Sequence, residues 1–203
     1  MGAPLEGAEP AMDPAVRDKI FQRELVTLIP HLRAFARTLT GDPTAADDLA
    51  QDAMMKAWDA RASYQMGTNM KAWTFMILRN QFYSEKRRSW RSTQLDQEAA
   101  ERTLVAVDDP EAPVALDELR QALNTLPEEQ REALILVGAG GFAYEEAAAI
   151  CNCAVGTVKS RVSRARRALQ TLLDDGNYDR DGGGASDAMF QILAEAERLS
   201  NLR

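Results

Sequence analysis

A chain of 203 residues with 45% hydrophobic content holds one ordinary domain or two small ones, and in the second case each half needs its own core. The formal net charge is −7, but acidic and basic residues are segregated, so the average conceals two surfaces of opposite sign. A single histidine, two cysteines and no Gly-rich phosphate loop, nucleophile elbow or strand pattern argue against catalysis, a metal site and a bound cofactor. The cysteines, Cys151 and Cys153, stand too close for an ordinary disulfide and fit a reducing cytoplasm. No apolar run is long enough for a membrane, and residues 1–14 read as an acidic, Pro-rich disordered leader rather than a signal sequence.

The elements predicted after the leader are all helical. Between Ala15 and Thr40, Ile20, Phe21, Leu25, Leu28, Ile29, Leu32, Phe35, Ala36 and Leu39 recur at helical spacing, with Pro30 marking a kink or restart and Gly41 a stop. Asp42 before Pro43 is an N-cap with proline in the first turn, opening a helix to about Ala62. Its inner stripe is Leu49, Ala50, Ala53, Met54, Ala57 and Trp58. The opposite side carries Asp48, Asp52, Lys56 and Asp59, a face for solvent or for a basic partner surface. Residues 62–69 read as a mobile loop.

The next predicted helix, Met70 to about Arg91, is apolar nearly all round, which a surface helix of a small domain seldom needs. Trp73 and Ile77 lie on one side, while Ala72, Phe75, Met76, Arg79, Phe82 and Tyr83 cover much of the rest. If one face packs on the preceding helices, aromatics together with Lys71, Arg79, Asn80, Arg87 and Arg88 remain for another role. Aromatic groups among bases suit unstacked nucleobases beside a phosphate backbone, although aromatics on a helix are more often core. Residues 92–113 turn acidic and carry two prolines, the composition of a tether. Helices resume at 114–124, and Thr125 with Glu128 forms a capping-box pattern for a helix from Leu126 to Val137 that Gly138, Gly140 and Gly141 end.

Tyr144 to Ile150, the turn Cys151 to Ala154 and the helix from Val155 form a helix-turn-helix pattern. Asn152 there tolerates the left-handed conformation such a turn needs. From Cys151 to Leu173 there are five basic residues and no Asp or Glu. Val155, Val158, Val162, Ala165, Leu169 and Leu172 make the buried stripe of this last helix. Thr157, Lys159, Ser160 and Arg161 stand where side chains reach base edges in a major groove, and Arg164 and Arg167 where they hold phosphates. Residues 174–203 read as an acidic Gly-rich hinge and a short amphipathic helix over Met189 to Leu199.

Three stretches resemble a bacterial RNA polymerase sigma factor of the small extracytoplasmic-function type: LTGDPTAADDLAQD from Leu39 with Ala57 and Trp58, KAWTFMILRN from Lys71, and LPEEQRE from Leu126 with VGTVKSRVSRAR from Val155. The run FYSEKRRSWR from Phe82 resembles the general stress response subgroup of alphaproteobacteria. The resemblance implies an all-α protein of two modules, region 2 over 15–91 and region 4 over 114–173, joined by the linker 92–113. It implies that Asp47, Asp48, Asp52 and Asp59 contact core polymerase. Lys71, Trp73, Arg79, Asn80, Arg87 and Arg88 would open and read the promoter −10 element, and Thr157 to Arg167 the −35 element. It further implies a cognate anti-sigma factor that clamps both modules. Ala143 stands where the family has a serine cap, and Ala154 where proline is common, which predicts a looser first helix in the motif. Two other classes fit parts of this pattern. A sigma-like decoy would bind an anti-sigma factor and not DNA, and a free-standing regulator would dimerise on a palindrome.

Overall fold

The structure is a computed structural model that describes residues 13–95 and 122–174. Residues 1–12 of the leader, the tether beyond Leu95 and the C-terminal hinge and helix lie outside the described residues, whereas Asp13 and Pro14, expected in the leader, cap and open the first helix because Asp is a good N-cap and proline fits a first turn. Seven α-helices and one short 3₁₀ turn form it, and the described residues contain no strand. None of these helices is long and apolar enough to cross a membrane.

Helix α1 (Pro14–Thr27) begins at Asp13, whose side chain accepts the Ala15 N–H, and yields at Leu28 to α2 (Ile29–Thr40). The break falls two residues before Pro30, where a proline is tolerated in a first turn because its missing N–H has no intrahelical acceptor there. Gly41, at φ 72°, caps α2. Asp42 then accepts the Ala45 N–H and opens α3 (Pro43–Asp59), three residues shorter than expected from its pattern.

Residues 62–69 are largely irregular, as expected of a loop, but side chains tie them to the helices. A 3₁₀ turn covers Arg61–Ser63, Tyr64 is buried, and its hydroxyl donates to the Thr68 carbonyl at 2.6 Å. Arg17 of α1 donates to the carbonyls of Arg61, Ala62 and Tyr64, so one guanidinium satisfies backbone oxygens that a loop ordinarily leaves to water. Phe21, Leu25, Ala57, Tyr64 and Met70 close a small second core beneath it, with Trp58 and Trp73 against its edge.

Helix α4 (Met70–Leu95) opens on Asn69, which accepts the Ala72 N–H, and runs into the predicted tether. Beyond the tether, residues 122–124 are helical. Helix α5 (Glu128–Val137) begins after Pro127 without a side-chain cap. Thr125 is not the expected capping residue: its hydroxyl donates to the Ala122 carbonyl, closing the preceding turn instead. Helices α6 (Tyr144–Cys151) and α7 (Val155–Asp174) flank a turn at Asn152, φ 50° and ψ 51°, the one described non-glycine residue with positive φ. Asparagine is among the few residues that adopt this conformation at modest cost. Ala143 lacks a capping side chain, but Glu146 accepts its N–H at 2.9 Å, so one half of a capping box survives.

The two modules do not keep separate cores. One apolar cluster runs from Leu32, Phe35, Leu49 and Leu78 through Leu134, Leu136 and Phe142 to Ile150, Val158, Val162 and Leu169. Helix α4 lies between α2 and α3 on one side and α6 on the other. That position explains its unusual composition, because a helix packed on two sides needs apolar groups on both.

Candidate nucleic-acid interface

The helix-turn-helix is built as its sequence pattern requires. Val158, Val162, Ala165 and Leu169 are buried, with Val155 and Leu172 partly so, which turns the opposite face of α7 outward. Ser163, Arg164 and Arg167 are exposed there. Thr157, Lys159, Ser160 and Arg161 are half-buried on the first turns, and three of the four have side-chain contacts: the Ser160 hydroxyl donates to the Thr157 carbonyl at 2.8 Å. The Lys159 ammonium stands 5.6 Å from the centre of the Tyr144 ring. Arg161 donates to the Glu129 carboxylate and, at 3.7 Å, to the Cys153 sulfur. These contacts hold the two side chains in fixed directions on the first turns of α7. Cys151 is different: it is buried, and burial pushes its thiol up to about 12, so it packs as a small apolar group.

On α3, Asp48, Asp52 and Asp59 are exposed and share the outward side. Asp47 stays open to solvent but is occupied, because both of its oxygens accept from the Arg33 guanidinium. That hydrogen bond holds its carboxyl below the usual carboxylate range. Lys56, expected on the acidic face, reaches across to the Gln81 side chain instead. Between them opens a depression of about 370 Å³ lined by Lys56, Ala60, Ile77, Asn80, Gln81 and Ser84, with Asn80 exposed at its edge.

Helix α4 divides the residues singled out for −10 recognition. Asn80, Arg87 and Arg88 are exposed, as is Trp90 near them. Trp73 is half-buried, with ring centres 6.0 Å from Phe21 and 5.1 Å from Tyr64. Phe75 is core: it stacks on Phe35 at 4.8 Å and meets Phe142 edge-on at 5.0 Å. An edge-on pair of this kind contributes about 0.5–1.5 kcal/mol beyond its buried area.

Arg79 and Lys71 both turn toward the second module. Arg79 Nε donates to Glu132 Oε1 at 2.6 Å and its Nη2 to Oε2 at 3.3 Å, a two-point pair in which the Glu132 side chain is fully buried. The Tyr83 hydroxyl reaches the same carboxylate at 3.4 Å. Burial raises the pKa of Glu132, and the hydrogen bonds from Arg79 work against that rise. Arg79 is also desolvated, yet the carboxylate outweighs this and raises its pKa, so the guanidinium stays charged. Lys71 donates to the Gly140 carbonyl at 2.7 Å and stands 5.0 Å from the centre of the Phe142 ring. Burial lowers its pKa. The tight turn that presents this carbonyl needs glycine, since a Cβ at Gly140 would stand 2.5 Å from the Leu136 oxygen. Asn69 donates to Glu146 at 2.6 Å, and Lys86 pairs with Glu128. None of these partners was legible in the sequence, where Glu128, Glu132 and Glu146 read only as residues of their own helices.

A helix-turn-helix with an outward basic face, packed against a helical module that carries an acidic helix and an aromatic-basic one, defines the promoter-recognition class of sigma-70 proteins. Comparison with known families agrees: residues 25–92 match sigma-70 region 2 and residues 116–169 match sigma-70 region 4. The chain is 48% identical over 150 residues to the ECF RNA polymerase sigma factor EcfG of Rhodopseudomonas palustris, covering 74% of this chain and 83% of that protein. Among solved structures it resembles the sigma factor RpoE in complex with the anti-sigma factor NepR from Bartonella quintana. There the TM-score is 0.69 and the identity 49%, covering 77% of this chain and 98% of that one. It also resembles CnrH in complex with the cytosolic domain of CnrY, at TM-score 0.56 and 26% identity over 79% of this chain and 94% of that one. The chain belongs to the extracytoplasmic-function family of RNA polymerase sigma factors, whose members direct core polymerase to promoters.

Proposed function

We propose that residues 15–91 form the module that binds core polymerase and the −10 element, and that residues 114–173 form the module that binds the −35 element. The observation that carries the division is the split in surface charge. Asp48, Asp52 and Asp59 leave α3 unpaired toward solvent, whereas Arg164 and Arg167 leave α7 the same way. An acidic helix face suits a basic protein surface, and an outward arginine pair on a recognition helix suits phosphates. Lys159, Ser160 and Arg161 then face base edges, with Arg161 aimed by Glu129.

In the first module, Asn80 and the depression beside it would receive a base taken out of the stack, and Arg87 and Arg88 the adjoining backbone. Arg79 and Lys71 would join them once the second module has moved, while Trp73 is held by Phe21 and Tyr64 of its own module. The protein acts in this reading as a cytoplasmic specificity subunit rather than as an enzyme. A cognate anti-sigma factor, of the kind seen with the similar solved chains, would hold it inactive until a stress signal releases it.

The test is reconstitution of the purified chain with bacterial core polymerase and a promoter template. Defined transcripts should start only when both proteins are present. Reversing the charges of Asp48 and Asp52 should weaken assembly with core while leaving helical content intact, and unchanged affinity would make this face merely solvated. Substituting Asn80 should impair strand opening more than first attachment to the duplex.

A further inference from the structure

The base-facing turn of α7 is steered from two sides. Lys159 and Arg161 stand two residues apart, about 200° around a helix of 3.6 residues per turn, so they leave α7 on opposite flanks with Ser160 between them. Arg161 is met by Glu129 of α5, whereas Lys159 is met by Tyr144 of α6, its ammonium lying over the ring at 5.6 Å from the centre. That distance is inside the range of about 6 Å at which a ring face attracts a cation. Tyr144 is buried as the first residue of α6, and Glu146 fixes the turn before it by accepting the Ala143 N–H. The ring is therefore a fixed point to which the lysine comes. Two carboxylates follow Tyr144 in the same helix, yet Lys159 pairs with neither among the described residues: Glu146 is engaged by Ala143 and Asn69, and Glu145 stays exposed.

We infer that Tyr144 is a positioning residue for base choice: its ring directs Lys159 toward one edge of the −35 element while touching no base itself. This rests on the reading of the first turns of α7 as base-facing. A lysine is a flexible point charge on a four-carbon stem, and undirected it marks negative charge without choosing between bases. The kind of partner matters as well. A carboxylate occupies N–H donors of the side chain it aims, as Glu129 does with Arg161, whereas a ring face holds an ammonium by its charge and leaves its three N–H donors for an acceptor beyond. Held in this way, Lys159 suits an edge with paired acceptors, such as O6 and N7 of guanine. The first helix of the motif thereby shapes sequence choice through a residue of the second.

The test uses the full chain assembled with core polymerase and a promoter library randomised in the −35 element, with the enriched sequences counted at fixed salt. Lys159→Met should flatten choice at the position that Lys159 reads. Tyr144→Leu should lower that same preference roughly two- to fivefold, the worth of one cation–π contact at a solvent-accessible site. Tyr144→Phe, which keeps the ring, should retain it. Pentafluorophenylalanine at position 144 keeps the shape of phenylalanine but makes the ring face electron-poor, and it should lose the preference as Tyr144→Leu does. In a Lys159→Met background, Tyr144→Leu should change nothing further at that position. Because Tyr144 is buried and its truncation can loosen α6, the comparison of phenylalanine with pentafluorophenylalanine separates direction of the lysine from packing. Unchanged choice in Lys159→Met overturns the reading of this turn as base-facing, and the inference with it. Where Lys159→Met does flatten choice, equal preference with phenylalanine and pentafluorophenylalanine, or a Tyr144→Leu effect that persists without Lys159, overturns the role of Tyr144 alone.

Discussion

The two basic helices of this protein carry similar side chains in opposite circumstances. On α7, Arg164 and Arg167 are exposed and Arg161 is steered by a carboxylate of its own module. On α4, Arg79 is desolvated and paired with a carboxylate from the other module. An exposed arginine costs the fold nothing and is ready for DNA, whereas a buried one belongs to the packing until that packing opens. In the proposed reading, Arg164 and Arg167 meet −35 phosphates as they stand, while Arg161 and Arg79 are each already engaged by a carboxylate, the first within its module and the second across to the other.

The largest expected effect breaks this contrast at the buried pair. Glu132→Ala leaves Arg79 desolvated without a partner and should cost about 3–5 kcal/mol in chemical denaturation of the free chain. Arg164→Ala, on the exposed side of the comparison, should leave the same denaturation curve in place. Equal curves for wild type and Glu132→Ala would mean that the pair contributes no net stability.

On the recognition helix, Arg161→Ala should cost about 1–3 kcal/mol of promoter binding by the holoenzyme and relax choice at one or two −35 positions. Glu129→Gln should weaken the same discrimination to a lesser degree, because it removes the group that aims Arg161 and leaves Arg161 itself in place. Selection among randomised −35 sequences reads both. Smaller still are Arg164→Ala and Arg167→Ala, each expected to lower the salt slope of promoter binding by about one unit without altering sequence choice.

The smallest effect belongs to Asp47. Its carboxyl is held below the ordinary range by Arg33, so whatever the pair contributes is complete at neutral pH and disappears as pH falls through that lowered value. The pair is exposed, and solvent screening leaves it little to contribute. Asp47→Asn should therefore leave the thermal midpoint at pH 7 within experimental scatter. Core polymerase affinity should be lowered less by Asp47→Asn than by reversal of Asp48 and Asp52, since those two are free to meet a partner.

Local chemistry in the chain determined the helices, their main stops and the recognition motif. Gly41, Asp42 and Asn152 act through their own backbone geometry, and the stripe from Val155 to Leu172 acts through a helical period, so neighbours in sequence suffice to read them. The same locality explains why Asp48, Asp52, Arg164 and Arg167 stand outward as their spacing requires. Tertiary structure alone decided that residues 62–69 are pinned, because the guanidinium that pins them comes from Arg17, more than forty residues away. It alone decided that Phe75 is core, that Thr125 closes a turn instead of capping a helix, and that Arg79 faces Glu132. A helical period tells which side chains share a face of a helix, but not which other helix will cover that face. Phe142 and Glu132 reach α4 from beyond the tether, and no pattern within residues 70–95 distinguishes a face that awaits DNA from one already occupied by the rest of the chain.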